Sequence, residues 1–185
     1  MEEHNKNNEN FFVEVVKFTV IAILIVAPIR IFIAQPFIVS GASMSPTFEN
    51  GQYLIVDQLS YRLDKPERGD VIIFRFPLEP SKFFIKRIAG LPGETLELKN
   101  GELFIETSKG KIIKISESYI EDVNSLNDNL KAELSDDEYF VLGDNRKASS
   151  DSRVWGALPS DHIVGRAFIR LFPVTEVGIL PGEIK

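Results

Sequence analysis

Cysteine is absent from the 185-residue chain, so no disulfide and no thiolate-held metal can form. That absence does not fix the compartment, since exported proteins can also do without cysteine. Histidine is almost absent too. His4 and His162 leave an ordinary zinc site short of ligands, and only His162 lies where a Ser-His-Asp triad could draw on it. Basic charge is the third shortage: 21 Lys and Arg against 27 Asp and Glu give a net charge of −6. Non-specific nucleic-acid binding, which needs clustered cations, is disfavoured. Hydrophobic residues are not scarce. At 44% of the chain they suffice for one core, and neither a repeat nor a second soluble domain is visible.

The first ten residues, MEEHNKNNEN, are polar and low in complexity and read as a disordered tail. From Phe11 the chain turns strongly apolar. Its uncharged centre, Phe18 to Ile29, is short for a bilayer, but extension over residues 11–33 reaches the ~20 residues a spanning helix needs. Glu14 and Lys17 then lie toward one end and Arg30 toward the other, where long side chains reach headgroups. A buried core helix and a cleaved export signal are the competing readings. Ala34-Gln35-Pro36 is a poor cleavage context, which favours an uncleaved signal anchor. The acidic tail gives the positive-inside rule little to act on.

After Pro36 the pattern becomes extended. Gln52 to Val56, Asp70 to Phe76, Tyr139 to Leu142 and Ala167 to Phe172 are rich in branched and aromatic residues. Thr95 to Lys99 and Glu102 to Glu106 flank Asn100-Gly101, a strong hairpin signal because both turn positions need positive φ. Lys109-Gly110 predicts a further turn into Lys111 to Ile115. Residues 117–137 are acidic and Asn-rich and read as an exposed excursion or short helix. The expected fold is mainly β: an N-terminal transmembrane helix, then an antiparallel β-sheet domain over residues 34–185.

Two contexts carry chemistry. Ser43 sits in Ser40-Gly41-Ala42-Ser43-Met44-Ser45-Pro46, where small residues leave the approach open and Pro46 fixes the chain beyond. Lys86 sits in Lys82-Phe83-Phe84-Ile85-Lys86-Arg87-Ile88, where strand alternation puts it on the face of Phe84 and Ile88. Burial there lowers a lysine pKa, and a neutral amine can take the proton of a serine hydroxyl. A solvated lysine at a strand edge is the plainer alternative, as an ordinary turn serine is for Ser43. The polar stretch from Gly143 to Gly156 follows a strand, as catalytic loops do. Within it Ser149 is expected to hydrogen-bond and orient the Lys86 amine, and Asp144, Asp151 and Arg153 to form ion pairs that hold the loop. A long polar turn built on Asp and Asn side chains is the competing reading. His162 reads as a solvated turn residue.

Taken in order, the motifs resemble a bacterial type I signal peptidase, with a single anchor and compact length similar to the Gram-positive branch. The likeness runs through Gln35-Pro36-Phe37, Ser43-Met44-Ser45-Pro46-Thr47, Arg68-Gly69-Asp70-Val71, and Phe84-Ile85-Lys86-Arg87 with Gly90-Leu91-Pro92-Gly93. It ends in Gly143-Asp144-Asn145-Arg146 with Ser149, Asp151-Ser152-Arg153 and Trp155-Gly156. The resemblance implies Ser43 as nucleophile, Lys86 as general base, Ser149 as its positioner, and Asp144, Asp151 and Arg153 as structural support. It implies the Ser43 N–H as one oxyanion donor, and Gly41 stands where some relatives carry a second, serine donor. Phe37, Val39, Phe48 and Ile85 match positions lining shallow pockets for small residues, so an Ala-X-Ala-like site in exported preproteins is the expected substrate. It further implies a cytosolic tail at residues 1–10, an anchor over 11–33 in the cytoplasmic membrane, and a catalytic domain on the extracytoplasmic side. A monomer that uses no cofactor or metal and has membrane lipids and preproteins as partners completes the expectation. A maturation peptidase with a narrow client and a catalytically silent scaffold relative are the rival readings.

Overall fold

Helix α1 (Glu3–Pro28) leads the chain in the computed structural model, which describes residues 3–28, 34–107, 110–120 and 129–183. The helix starts at Glu3, so most of the tail expected to be disordered continues the apolar helix behind it. Once a helix is nucleated, each further residue adds a hydrogen bond, which favours such propagation. Every residue from Phe11 to Val26 is exposed. No helix among the described residues is long and apolar enough to cross a membrane. Glu14 and Lys17 interrupt the apolar run of α1, and residues 29–33 of the expected 11–33 span lie outside the described residues.

The remainder is built on two antiparallel sheets. The larger joins β1 (Ala34–Ile38), β2 (Tyr53–Asp57), β3 (Val71–Phe76), β4 (Glu79–Gly90), β9 (Glu138–Leu142), β10 (Leu158–Pro159) and β11 (Ile163–Phe172), with β12 (Gly178–Ile179) beside β11. Its path runs β1-β2-β11-β3-β4-β9-β10. The smaller sheet runs β7-β6-β5-β8, from β5 (Thr95–Lys99), β6 (Glu102–Glu106), β7 (Ile112–Ile115) and β8 (Asn129–Glu133). Short helices α2 (Ser60–Leu63) and α3 (Ser152–Trp155) lie between strands. The expected mainly β, antiparallel architecture is what the chain adopts.

Alternation explains these strands locally. In β2 the side chains of Leu54 and Val56 are buried between less buried neighbours, and in β6 those of Leu103 and Ile105 are. The β5–β6 hairpin turns at Asn100 (φ 51°) and Gly101 (φ 79°), the paired positive φ angles that Asn-Gly supplies. One difference from expectation concerns 117–137: residues 129–133 form strand β8, not a helix. Leu130 and Ala132 pack on the core that contains Leu96 and Leu98, so pairing with β5 overrides a weak local preference. The expected Lys109-Gly110 turn falls partly on residues 108–109, outside the described residues, although β6 and β7 pair as anticipated.

The long strand β4 links the two halves. Near its end Ile88 packs with Ile72, Phe74 and Val141, whereas Ala89 joins the Leu96–Leu103–Phe140 cluster. Gly90 permits the crossing, because a Cβ there would stand 2.8 Å from Leu134 Cδ1 and 3.1 Å from Phe140 Cβ. The central part of β4 carries Lys86 past the turn that follows β1.

Candidate active site

The turn from Gly41 to Thr47 brings Ser43 to the side of β4. Gly41 adopts φ +93°, open to glycine at little cost, and its N–H donates to Asn50 Oδ1 at 2.9 Å. Beyond it Met44 and Phe48 plunge into the core with Val39, Leu54 and Ile73, which fixes the turn from below. The Ser43 carbonyl accepts from Asn145 N–H at 3.1 Å. Thr47 Oγ1 donates to Asp144 Oδ2 at 2.5 Å. The turn is thus tied at both ends to the loop after β9.

Lys86 faces this turn from β4, where Ile72 is its cross-strand neighbour. The residue is only 4% exposed, yet its Nζ lies 2.7 Å from Ser43 Oγ. A second contact, 2.9 Å to the Ile85 carbonyl, accepts one N–H. The Phe84 ring centroid stands 5.4 Å from Nζ, as the alternation of β4 predicts. Burial pulls the Lys86 pKa down from 10.5 to about 8, and the more distant Asp151 and Asp144 charges hold it from falling further. Near pH 8 a substantial neutral fraction therefore exists. With one N–H bonded to Ile85, a neutral amine has its lone pair free for the Ser43 proton.

Support comes from the loop after β9. Arg87 sends Nε to Asp144 Oδ1 at 2.8 Å and Nη2 to Asp144 Oδ2 at 2.6 Å, and its Nη1 reaches the Gly69 and Gly182 carbonyls. Asp151 accepts from Gly143 N–H at 3.0 Å and from Arg153 Nε at 2.8 Å. Burial alone would raise the Asp151 carboxyl, but these donors and the Arg153 charge hold it below the usual carboxylate value. Asp144, Asp151 and Arg153 all form the ion pairs expected of them.

Ser149 differs from expectation. Its hydroxyl is buried beside the Asp151 carboxylate, which it helps hold below the usual carboxylate value, and the Lys86 amine is bonded to Ser43 and Ile85 instead. It packs on Gly143, where a Cβ would come within 2.2 Å of Ser149 Oγ and 2.5 Å of the Ser43 carbonyl. His162 is set apart, with Nδ1 2.9 Å from the Arg75 carbonyl.

A cleft of about 470 Å³ opens over Ser43 and Lys86. Phe37, Val39 and Ile85 line it, as expected of pocket residues, together with Ala42, Leu54 and Phe83. Phe48 does not. It is wholly buried beneath the cleft floor, because the turn after Ser43 directs it into the core. Four residues that sequence reasoning gave no role also belong to the surroundings: Arg87, Arg146, Glu117 and Tyr119. Arg87 carried a faint signal, a charge beside Lys86 in an apolar strand; Glu117 and Tyr119 carried none.

The chain also has clear relatives among known proteins. The chain is 38% identical to the probable signal peptidase I-2 of Synechocystis sp. over 182 residues, 96% of this chain and 81% of that protein. It is 36% identical to signal peptidase I T of Bacillus subtilis over 194 residues, 95% of this chain and 97% of that one. A crystal structure of a signal peptidase I from Enterococcus faecalis V583 matches with a TM-score of 0.49 at 30% identity, covering 56% of this chain and 97% of that chain. The two sequence relatives define the class as a peptidase. Residues 12–172 match the family described as signal peptidase, peptidase S26, and the chain belongs to that family.

Proposed function

We propose that the chain is a membrane-bound serine endopeptidase that removes N-terminal signal peptides from exported preproteins, with Ser43 as nucleophile and Lys86 as general base. The 2.7 Å contact between a nearly solvent-free amine and the Ser43 hydroxyl carries this reading. Neutral Lys86 takes the hydroxyl proton while Ser43 Oγ attacks the scissile carbonyl carbon. The tetrahedral oxyanion is met by the Ser43 N–H. Collapse breaks the peptide C–N bond, and Lys86 returns its proton to the departing amine. A water, deprotonated by Lys86, then cleaves the acyl ester and restores the Ser43 hydroxyl. No metal or organic cofactor enters these steps. Asp144, Asp151 and Arg153 keep the surrounding loop in place, and Ser149 orients the amine once substrate displaces the resting contacts.

Shallow apolar walls at Phe37, Val39 and Ile85 suit small residues before the cut, hence Ala-X-Ala-like sites. The exposed apolar surface of α1 supports an anchor over residues 11–33 (Phe18 and Leu24 are 72% and 67% exposed). In this arrangement residues 1–10 are cytosolic and residues 34–185 form the extracytoplasmic domain of a monomer. Anchoring confines enzyme and substrate to one plane, so modest cleft affinity is sufficient. The test is cleavage of a preprotein bearing an Ala-X-Ala site by detergent-solubilised protein, alongside Ser43→Ala and Lys86→Ala. Cleavage by the parent alone supports the dyad. Activity that survives both substitutions overturns it.

A further inference from the structure

We propose that Glu117 and Tyr119 are positioning residues for the Ser43–Lys86 pair, acting through Arg146 and Arg87; the proposal rests on the reading of that pair as the catalytic dyad. Both residues lie on the segment that follows β7, the end of the smaller sheet. Neither touches Ser43 or Lys86. What they touch are the two arginines that hold the loop between β9 and Ser149.

Arg146 and Glu117 form an ion pair through Nη2 and Oε1, with side chains only 1% and 3% exposed. Arg146 Nε donates to the Gly143 carbonyl at 3.2 Å, and its own carbonyl accepts from Arg153 Nη2 at 2.6 Å. Tyr119 donates its O–H to Glu117 Oε1 at 2.8 Å, and its ring lies 4.1 Å from the Arg87 guanidinium carbon. Burial, with Glu117 beside it, raises the Tyr119 pKa, so the phenol stays neutral and keeps donating. One short segment therefore caps one guanidinium and neutralises the other.

The consequence for the site follows from what residues 143–146 hold. Asn145 N–H binds the Ser43 carbonyl, and Asp144 binds both Thr47 of the nucleophile turn and Arg87, the neighbour of Lys86. This loop is the bridge between nucleophile turn and base strand. Its position sets the distance between the two reacting atoms, and the loop is itself pinned from outside by Glu117. A displacement of about 1 Å in such a geometry can cost about 100-fold in rate. Loss of the Glu117 charge also leaves Arg146 as a buried cation without its partner, and Arg146 shifts toward water, taking Gly143 with it.

The experiment measures kcat and KM on a small-residue preprotein substrate, with thermal unfolding, for Glu117→Gln, Tyr119→Leu and the double variant Glu117→Met/Arg146→Met. The double variant replaces the buried pair by apolar groups of similar reach, which can restore stability where a lone charge destroys it. Glu117→Gln and Tyr119→Leu are each expected to lower kcat at least 10-fold with KM within about 2-fold, an interaction felt in the transition state and not in substrate binding. Glu117→Asp should recover part of that kcat. The double variant is expected to melt near the parent yet keep a kcat at least 10-fold down. Recovery of both melting temperature and kcat in the double variant overturns the proposal, because the pair is then only structural. A rise in KM with kcat unchanged in the two single variants overturns it as well. Ser43→Ala run in parallel separates the two readings: residual activity there removes the dyad itself, whatever Glu117 does.

Discussion

Arg87 and Asp144 face each other as a two-point ion pair, at 2.8 and 2.6 Å, with side chains 2% and 0% exposed. The pair joins the strand that carries Lys86 to the loop that holds the Ser43 turn. Its burial decides what removing one partner does. An isolated guanidinium with no water and no counter-charge is far costlier than the pair. Asp144→Asn is expected to lose about 3 kcal/mol or more of stability, measured by denaturant unfolding, and most of its activity with it. Unchanged stability would show that Arg87 finds another partner.

Activity should follow the protonation of Lys86. With its pKa near 8, the neutral amine is the minority form at neutral pH and dominates above the midpoint. kcat/KM on a preprotein substrate is therefore expected to rise about tenfold per pH unit below the midpoint and level off above it. At pH 7 it should stand at roughly one-tenth of its plateau. A profile flat between pH 6 and 9, with chemistry rate-limiting, would remove Lys86 as the base.

The same shift makes a statement about stability. A lysine whose folded pKa lies below its unfolded value binds its proton less well in the native state. Folding is therefore penalised fully below about 8, and the penalty fades as pH rises toward 10.5. Lys86→Met, close in shape and without charge, is expected to abolish activity while raising stability at pH 7 by up to about 3 kcal/mol. The gain should shrink as the pH rises toward 10. A destabilised Met variant would mean that the Ser43 and Ile85 contacts outweigh the burial penalty.

What was legible in the sequence was what depends on neighbours along the chain. Asn100-Gly101 fixes its hairpin because turn geometry is local, and alternation exposed β2, β5 and β6 for the same reason. Ser43 and Lys86 stood out through flanking small and apolar residues, and the fold brings them together. The illegible features depend on partners remote in sequence. The resemblance puts Phe48 on the cleft wall, yet the turn beyond Pro46 sends it beneath. Strand β8 exists because β5 offers an unpaired edge, not because Asn129 to Glu133 favours extension. Glu117 finds Arg146 across 29 residues, with no local pattern to announce it.

Gly143 is expected to tolerate no side chain. A Cβ would stand 2.2 Å from Ser149 Oγ and 2.5 Å from the Ser43 carbonyl, so relief requires moving the nucleophile turn itself. Gly143→Ala should cost about 1–3 kcal/mol by overpacking and reduce kcat far more than KM. A fully active Ala variant would show that the turn has slack the contacts do not reveal.

Ser149 gives the sharpest separation of stability from chemistry. Its buried hydroxyl lies beside the Asp151 carboxylate without a well-formed hydrogen bond among the described residues, so the folded state gains little from it and bears part of its desolvation. Ser149→Ala is therefore expected to leave the melting temperature unchanged or raise it slightly. If the hydroxyl engages Lys86 only when the amine swings from its resting contacts, kcat should fall at least tenfold with KM nearly constant. The pH midpoint of kcat should move with it, since a hydrogen bond to the amine helps set its proton affinity. An Ala variant with the parent's kcat and midpoint would leave Ser149 as packing against Gly143 and nothing more. The test discriminates because the two roles predict different things: packing alone spares kcat and its pH midpoint, whereas orientation of the amine lowers kcat and moves the midpoint.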